Sequence, residues 1–166
     1  MNPSKRRITL LILLLSLLSP LSWALSTDKD QPVSIEADSV DIDEATETAI
    51  YHGNVILIQG SINLNASRVV VHNFQSDNAR IVATGQQVQF SQKQDGNGLL
   101  IKGRANKAEY GINSARLELT GKASLAKGKN TFKNDRIIYD REKATVQAGT
   151  SAKGKERVKI TIGGQK

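Results

Sequence analysis

The residue types that most often carry catalysis are sparse in this sequence and form no catalytic pattern. Cysteine is absent, no Gly-x-Ser-x-Gly motif occurs, and His52 and His72 each fall at the boundary of a predicted strand or turn. A nucleophilic site needs a nucleophile, a base and an orienting group within hydrogen-bond reach. We therefore predict no nucleophilic active site, and we expect neither an enzyme nor a cofactor.

Carboxylates cluster in one place near the amino-terminal end. Asp38, Asp41, Asp43 and Glu44 could suggest a Ca²⁺ site, but the segment lacks the central glycine and the terminal bidentate glutamate of an EF-hand loop. We interpret it as the solvated acidic face of a turn and predict no metal site. A carboxylate pair could also cleave sugars, but chains of this length offer such pairs without being glycosidases. The glycines precede β-patterned runs instead of a helix start, which argues against a phosphate-binding loop.

The glycines instead mark an internal repeat. From Tyr51 to His72, short β-prone runs are interrupted by Gly53 and Gly60, which are seven residues apart. The pattern recurs 68 residues later, from Leu119 to Asp140, with matching glycines and apolar positions but low identity. This agreement predicts two copies of one strand-turn-strand unit that stack and share a core.

Residues 1–24 have the pattern of an export signal. Three cations at positions 5–7 precede an apolar run from Ile8 to Leu18, and a small-x-small site ends at Ala24. This arrangement is typical of a secretory signal peptide, and the apolar run is shorter than the roughly 20 residues that span a bilayer. We predict cleavage after Ala24 and one domain over residues 25–166.

Charge is distributed unevenly along the rest of the chain. The segment from Leu25 to Asp95 contains four Lys or Arg and ten Asp or Glu. From Gly96 onward the chain contains sixteen Lys or Arg and six Asp or Glu. The asymmetry can reflect ordinary solvated faces. It can also give the molecule an acidic end and a basic end, which would align copies head to tail and attract anionic cargo. Nucleic acid is not expected as a partner, because aromatic residues make up 4% of the chain and no binding module is recognisable.

Apolar and polar residues alternate over most of the chain, which predicts an all-β domain. The pattern indicates roughly twelve to sixteen short antiparallel strands, separated by glycine turns, in two stacked sheets. Alternation does not distinguish a closed sandwich core from an open groove. A first strand follows Pro32, and a last strand, Arg157 to Ile162, has no later strand to cover it. Both are predicted to be sheet edges.

Three segments carry a resemblance to a known family: Pro32 to Asp38, Tyr51 to Gly60 and Ala66 to Val71. Together with Ala105 to Tyr110, Leu119 to Gly121 and Lys129 to Tyr139, they resemble the OstA-like family of periplasmic lipopolysaccharide-transport proteins. The resemblance covers nearly all of the chain after residue 24. It implies a twisted, incomplete β-jelly roll of two antiparallel sheets, V-shaped in section, whose apolar interior groove holds lipid acyl chains while the sugars project outward. It also implies a periplasmic location and transport of lipopolysaccharide from the inner to the outer membrane.

Alternation and the matching family positions together indicate which side chains would line the groove. They are Val33, Ile35, Val40, Ile42, Val55, Leu57, Leu64, Val69, Val71, Phe90, Tyr110, Leu119, Leu125, Phe132 and Tyr139. The edge strands expected to bind partners carry Val33, Ile35 and Ala37 at one end and Val158, Ile160 and Ile162 at the other. The resemblance implies that the inner-membrane-anchored LptC binds the first edge and that the amino-terminal domain of the outer-membrane protein LptD binds the second. It also implies head-to-tail self-association.

Two other classes of function remain open at this point. A structural β-solenoid or adhesin-like module would explain the repeat and the export signal, but it would carry no lipid. A carbohydrate-active enzyme would turn over a glycan. Lipid that co-purifies with the protein and is detected by mass spectrometry would distinguish all three.

Overall fold

The computed structural model describes residues 28–76, 78–94 and 98–163, so the signal peptide predicted for residues 1–24 and its cleavage site lie outside the described residues. Within the described ranges, two short 3₁₀ turns, Asp28–Asp30 and Gly149–Ala152, accompany ten strands, and no helix is long and apolar enough to cross a membrane. The strands are β1 Val33–Glu36, β2 Ser39–Asp43, β3 Thr48–Gln59, β4 Ile62–His72, β5 Arg80–Lys93, β6 Leu100–Gly111, β7 Arg116–Lys127, β8 Asn130–Asp140, β9 Thr145–Ala148 and β10 Lys159–Thr161.

Six of these strands are much longer than the sequence pattern predicted. Strands β3 to β8 contain eleven to fourteen residues each. The prediction of twelve to sixteen short strands is wrong because the predicted breaks at Gly53 and Gly121 are bulges inside continuous strands. Near Gly53 the register of β3 on β4 shifts, and near Gly121 that of β7 on β8 does the same. A β-bulge inserts extra residues and bends a strand without ending it.

All ten strands belong to one antiparallel sheet. Its order is β1-β3-β4-β5-β6-β7-β8-β10, with β2 also paired to β3 and β9 also paired to β8. Strand β1 pairs with residues 56–59 of β3, whereas β2 pairs with residues 48–52 of the same strand. In the same way, β10 pairs with residues 131–133 of β8 and β9 pairs with residues 137–140 of that strand. Each long strand therefore runs through both of the sheets that the sequence predicted.

A line of bulges divides the sheet into two arms. The register shifts between every neighbouring pair of strands from β3 to β8. We call the part that contains β1 and β10 the first arm, and the part that contains β2 and β9 the second arm. The arms face each other, because their buried apolar side chains form one cluster. Gly103 of the first arm lies so close to Leu119 of the second that an added Cβ would stand 2.9 Å from Leu119 Cδ1. The predicted all-β incomplete jelly roll is thus confirmed.

The predicted repeat is present in the backbone. Strands β7 and β8 begin and end 68 residues after β3 and β4. Gly53 and Gly121 have φ angles of 73° and 77°, and the residues that follow them, Asn54 and Lys122, have φ angles of 44° and 51°. Glycine enters this left-handed region at little cost. The same bulge conformation is therefore built twice, once in each copy of the unit.

Replacing Gly121 with alanine is expected to lower the free energy of unfolding by about 1–2 kcal/mol, because an L-residue is disfavoured in the left-handed region. The new Cβ would also lie 3.0 Å from Asn106 Nδ2. Gly98→Ala is the matched control, since Gly98 has a φ of 62° but nothing within 4 Å of its Cβ position. Urea unfolding of both variants separates the conformational cost from the contact. Unchanged stability in both would show that these positions do not need glycine.

Candidate binding groove

The facing surfaces of the two arms are lined by apolar side chains that form rows across the strands. Strand pairing places one residue of each strand beside its neighbours, and every second residue of a strand shares a face. One row in the first arm consists of Ile35, Leu57, Leu64, Phe90, Gly103, Leu125, Phe132 and Ile160. The opposing row in the second arm consists of Ile42, Ala49, Val71, Ile81, Tyr110, Leu117, Tyr139 and Val146.

The groove residues predicted from the sequence divide into three groups by exposure. Ten are buried: Val55, Leu57, Leu64, Val69, Val71, Phe90, Tyr110, Leu119, Leu125 and Tyr139. Ile35 and Phe132 are partly buried and pack against the core. Val33, Val40 and Ile42 are exposed, because β1 and β2 lie at the end of the sheet, where none of the described strands covers them.

The arms leave an apolar cavity of about 280 Å³ at the β1–β2 end of the sheet. We call it the open groove, and its lining residues are Val33, Ile35, Ile42, Ala49, Tyr51, Val71, Phe74, Ala79, Ile81 and Ile112. Four of these, Val33, Ile35, Ile42 and Val71, were among the predicted groove residues. Phe74, Ala79 and Ile112 lie outside the strands, where the period-two pattern carries no information.

A polar cluster joins the free ends of the arms. The Asp28 carboxylate accepts hydrogen bonds from the backbone nitrogen of Ser61 (2.6 Å), the Ser61 hydroxyl (2.8 Å) and Gln92 Nε2 (2.9 Å). Arg141 Nη1 lies 3.5 Å from the same carboxylate. Ser61 and Gln92 stand at the end of the first arm, and Arg141 directly follows β8 at the end of the second. We call these four residues the tip cluster.

The tip cluster is shielded from water and borders the apolar interior. The side chains of Asp28 and Arg141 are 7% and 6% exposed. Burial raises the pKa of Tyr110, whose side chain belongs to the buried apolar cluster of the second arm. A second link between the arms is made by Lys127 Nζ, which donates to the carbonyl of Ala144 at 2.8 Å. The arms are thus joined both along the bulge line and at their tips.

The tip cluster was missed by the sequence analysis, although one signal for it exists. Gln92 lies two residues after Phe90, and Gln59 lies two residues after Leu57, so both amides occupy positions whose period predicts an inward direction. Both are buried. A polar residue at an inward position needs a buried partner. The sequence does not show which partner that is. Gln92 donates to Asp28, and Asp28 is held in turn by Arg141, which is 113 residues away in the chain.

The predicted partner edges lie at the two ends of the sheet. Strands β1 and β10 are terminal in the strand order. Of the residues predicted there, Val33 and Ile35 belong to β1 and Ile160 to β10. The remaining three lie beside these strands: Ala37 after β1, and Val158 and Ile162 on either side of β10.

The last strand is shorter than predicted. Pairing with β8 covers Lys159–Thr161 instead of Arg157 to Ile162. The preceding segment is held by other contacts, since the Asp135 carboxylate accepts hydrogen bonds from the backbone nitrogens of Lys155 and Glu156 at 3.0 and 3.3 Å. These bonds lower the pKa of Asp135. Backbone groups that are satisfied by a side chain do not join the ladder.

Opposite charges accumulate at the two edges. Near β1 and β2 the exposed acids are Glu36, Asp38, Asp41, Asp43 and Glu44. Near β10, on the outer face, a cavity of about 440 Å³ is surrounded by Arg104, Lys122, Lys133, Arg157 and Lys159, with Glu156 as its acid. The uneven charge in the sequence therefore becomes an acidic edge and a basic edge.

The acidic cluster near β2 has local partners. Asp43 Oδ1 accepts hydrogen bonds from the backbone nitrogens of Thr46 and Ala45, at 3.1 and 2.9 Å, and the bonds with Thr46 contribute most to lowering the pKa of Asp43. Asp38 accepts a bond of 3.0 Å from Asn54 Nδ2, and Asp41 lies 3.6 Å from His52 Nε2. Across the part of the chain that the structure describes, no three His, Asp or Glu side chains are arranged to hold a metal.

Comparison with known proteins identifies the family. Residues 34–145 match the family model described as "LptA/(LptD N-terminal domain) LPS transport protein". The chain belongs to this family. The resemblance seen in the sequence is therefore confirmed, and the matched residues include all six long strands, β3 to β8.

Individual relatives agree with this assignment. The chain is 33% identical over 146 residues to the lipopolysaccharide export system protein LptA of Escherichia coli K12, covering 87% of this chain and 78% of that protein. It is 28% identical over 132 residues to the export protein LptH of Pseudomonas aeruginosa, covering 79% and 75%. The crystal structure of LptH, a periplasmic component of the lipopolysaccharide transport device, matches with a TM-score of 0.76 and 25% identity over 84% of this chain and 100% of that one.

Proposed function

We propose that this protein is a periplasmic bridge that binds lipopolysaccharide and carries it from the inner to the outer membrane, supporting outer-membrane assembly. One observation carries the proposal. The open groove lies between two arms lined with apolar rows, in a member of a family whose relatives are lipopolysaccharide export proteins. The role is binding and transfer without catalysis.

The physical need for such a protein comes from the lipid. Exposing an acyl chain to water costs about 0.8 kcal/mol for each CH₂ group. A groove lined by side chains such as Ile35, Ile42 and Val71 removes that surface from water while the sugars stay outside. The open groove would admit the first part of a chain. Deeper rows are in contact with each other, so further insertion would require the arms to separate.

The edges suit a bridge built by strand addition. Strands β1 and β10 run in opposite directions within one molecule, because seven antiparallel pairings separate them in the sheet. In two copies of the same orientation, β10 of one would therefore run antiparallel to β1 of the next, as a continuous sheet requires. Strand addition of this kind supplies affinity through main-chain hydrogen bonds. The complementary charges of the two edges would guide the encounter.

By the same reasoning we propose the partners at each end. LptC would add its strand at the acidic β1–β2 edge, the amino-terminal domain of LptD would add at the basic β10 edge, and further copies of this chain would fill the space between them. The groove would then continue through the assembly. Since the sequence contains no nucleotide-binding motif, the energy for directional movement would come from another component.

Site-specific crosslinking tests the cargo. A photo-crosslinking residue at Val33 or Ile35, which line the open groove, is expected to capture lipopolysaccharide in living cells. The same residue at Ser34 or Glu36, on the opposite face of β1, is the matched control and should capture several-fold less. Equal capture on both faces would reject the groove as the binding site. Absence of captured lipid at all four positions would favour an adhesin-like module.

A further inference from the structure

We propose that the tip cluster is an anion-binding site for the phosphate group of an amphiphile whose chain lies between the arms. In the structure, the carboxylate of Asp28 occupies this site in place of that phosphate. The inference rests on the proposed function, since it requires the groove to accept an acyl chain. It adds the chemistry by which the protein would recognise the charged end of its cargo.

The donors around Asp28 form a set that suits phosphate. They are a backbone N–H and a hydroxyl from Ser61, the Nε2 amide of Gln92 and the guanidinium of Arg141. The three closer donors lie within 2.9 Å of a carboxylate oxygen. Phosphate oxygens accept the same bonds, and arginine binds phosphate and carboxylate in the same geometry.

Burial makes an anion necessary at this position. Arg141 is 6% exposed, and a buried cation without a compensating anion is strongly unfavourable. Space for the anion is provided by Gly60, because a Cβ at that residue would stand 2.5 Å from Asp28 Oδ1. If Asp28 leaves, the site keeps its buried charge and its space, and another anion must enter.

One buried donor in the second-arm row takes no part in the tip cluster. The Tyr110 hydroxyl is buried and has no hydrogen-bond partner among the described residues. Strand pairing connects Tyr110 through Leu117 to Tyr139, two residues before Arg141, so the phenol belongs to the part of the second arm that ends at the tip cluster. A phosphate carries three terminal oxygens and is larger than a carboxylate, so it would offer an additional acceptor to a donor that Asp28 leaves unpaired.

The location suits the junction between a lipid chain and its headgroup. Tyr110 belongs to the apolar core, and Gln92 pairs with the fully buried Ile101. A chain that lies between the arms would therefore place its charged end among these residues. Asp28 precedes β1 and belongs to no strand, so it can leave without breaking a strand pair.

Calorimetric titration with three probes tests the site: monododecyl phosphate, the uncharged dodecyl maltoside and inorganic phosphate, with the amphiphiles below their critical micelle concentrations. Asp28→Asn removes the competing charge at constant size and is expected to tighten binding of dodecyl phosphate about tenfold. Arg141→Gln is expected to weaken binding of dodecyl phosphate by about the same factor. Neither change should alter the affinity for dodecyl maltoside.

Two further variants serve as controls. Arg116→Gln removes an exposed cation from the start of β7, outside the tip cluster and away from the partner edges, and is expected to leave all three affinities unchanged. Arg141→Gln leaves Asp28 without its cation and can impair folding, so the double variant Asp28→Asn/Arg141→Gln removes both charges together. It should fold, bind both amphiphiles and show no preference for phosphate.

The outcomes separate the site from the groove. Equal affinity of the native chain and both single variants for dodecyl phosphate would overturn the site alone. The proposed site would also be overturned if inorganic phosphate bound as tightly as dodecyl phosphate, because that result would indicate a site for free phosphate. Failure of every variant and of the native chain to bind either amphiphile would overturn the proposed function together with the site.

Discussion

The Lys159→Pro variant is expected to remain monomeric at concentrations at which the unmodified chain is expected to form head-to-tail rods. Lys159 lies in β10, a terminal strand of only three residues. Proline removes a backbone donor and is excluded from paired strand interiors, so this edge would no longer accept another strand. Light scattering across a concentration series measures the difference. The variant should still bind lipid, because the open groove is at the opposite end of the sheet.

Lys159→Gln is the control for this prediction, since it removes the charge and keeps the N–H group. It should weaken assembly only as much as added salt does, because exposed charges are screened over about 8 Å at physiological ionic strength. Rods that persist unchanged in Lys159→Pro would locate the joint elsewhere. Monomers of the unmodified chain at every concentration would exclude self-association.

Replacing Leu119 with alanine is expected to lower the free energy of unfolding by about 3–5 kcal/mol, the range for a large cavity in a packed core. Leu119 is 1% exposed, and it contacts Gly103 across the two arms. The loss of its side chain therefore weakens the contact between the arms as well as the second arm itself. Chemical denaturation followed by circular dichroism measures the change.

Leu100→Ala provides the comparison within the same sheet. Leu100 is 43% exposed, so its truncation is expected to cost about 1 kcal/mol or less. Similar losses for the two variants would show that the arms do not share a close-packed core.

Much of the fold could be predicted from the sequence, because the burial of alternate residues is a local property. Val55, Leu57 and Leu64 were placed on the inner face by period alone, and all three are buried. The continuity of β3 through Gly53 could not be predicted in this way. A glycine between two β-prone runs is typical of a turn, and only the pairing with β4 shows that the strand continues after a bulge.

The part of the candidate site that lies in strands could be predicted from the sequence, whereas the part that lies in turns could not. Residues such as Val33 and Ile35 lie in strands, where alternation indicates their direction. Phe74 and Ile112 line the same groove from turns, and their positions depend on how distant segments meet. The pair of Asp28 with Arg141 is the extreme case, because its partners come from opposite ends of the fold and neither belongs to a periodic pattern.

The rows of inner side chains have a consequence for how fast a bound molecule could travel. Neighbouring strands are about 4.8 Å apart, so a methylene chain moving along the rows would exchange one aliphatic contact for a similar one at each step. The row from Ile35 to Ile160 contains no charged side chain. The part of the energy that comes from the methylene chain would therefore be nearly flat along this row. As in ion-conducting pores, rapid passage follows from many weak and similar sites.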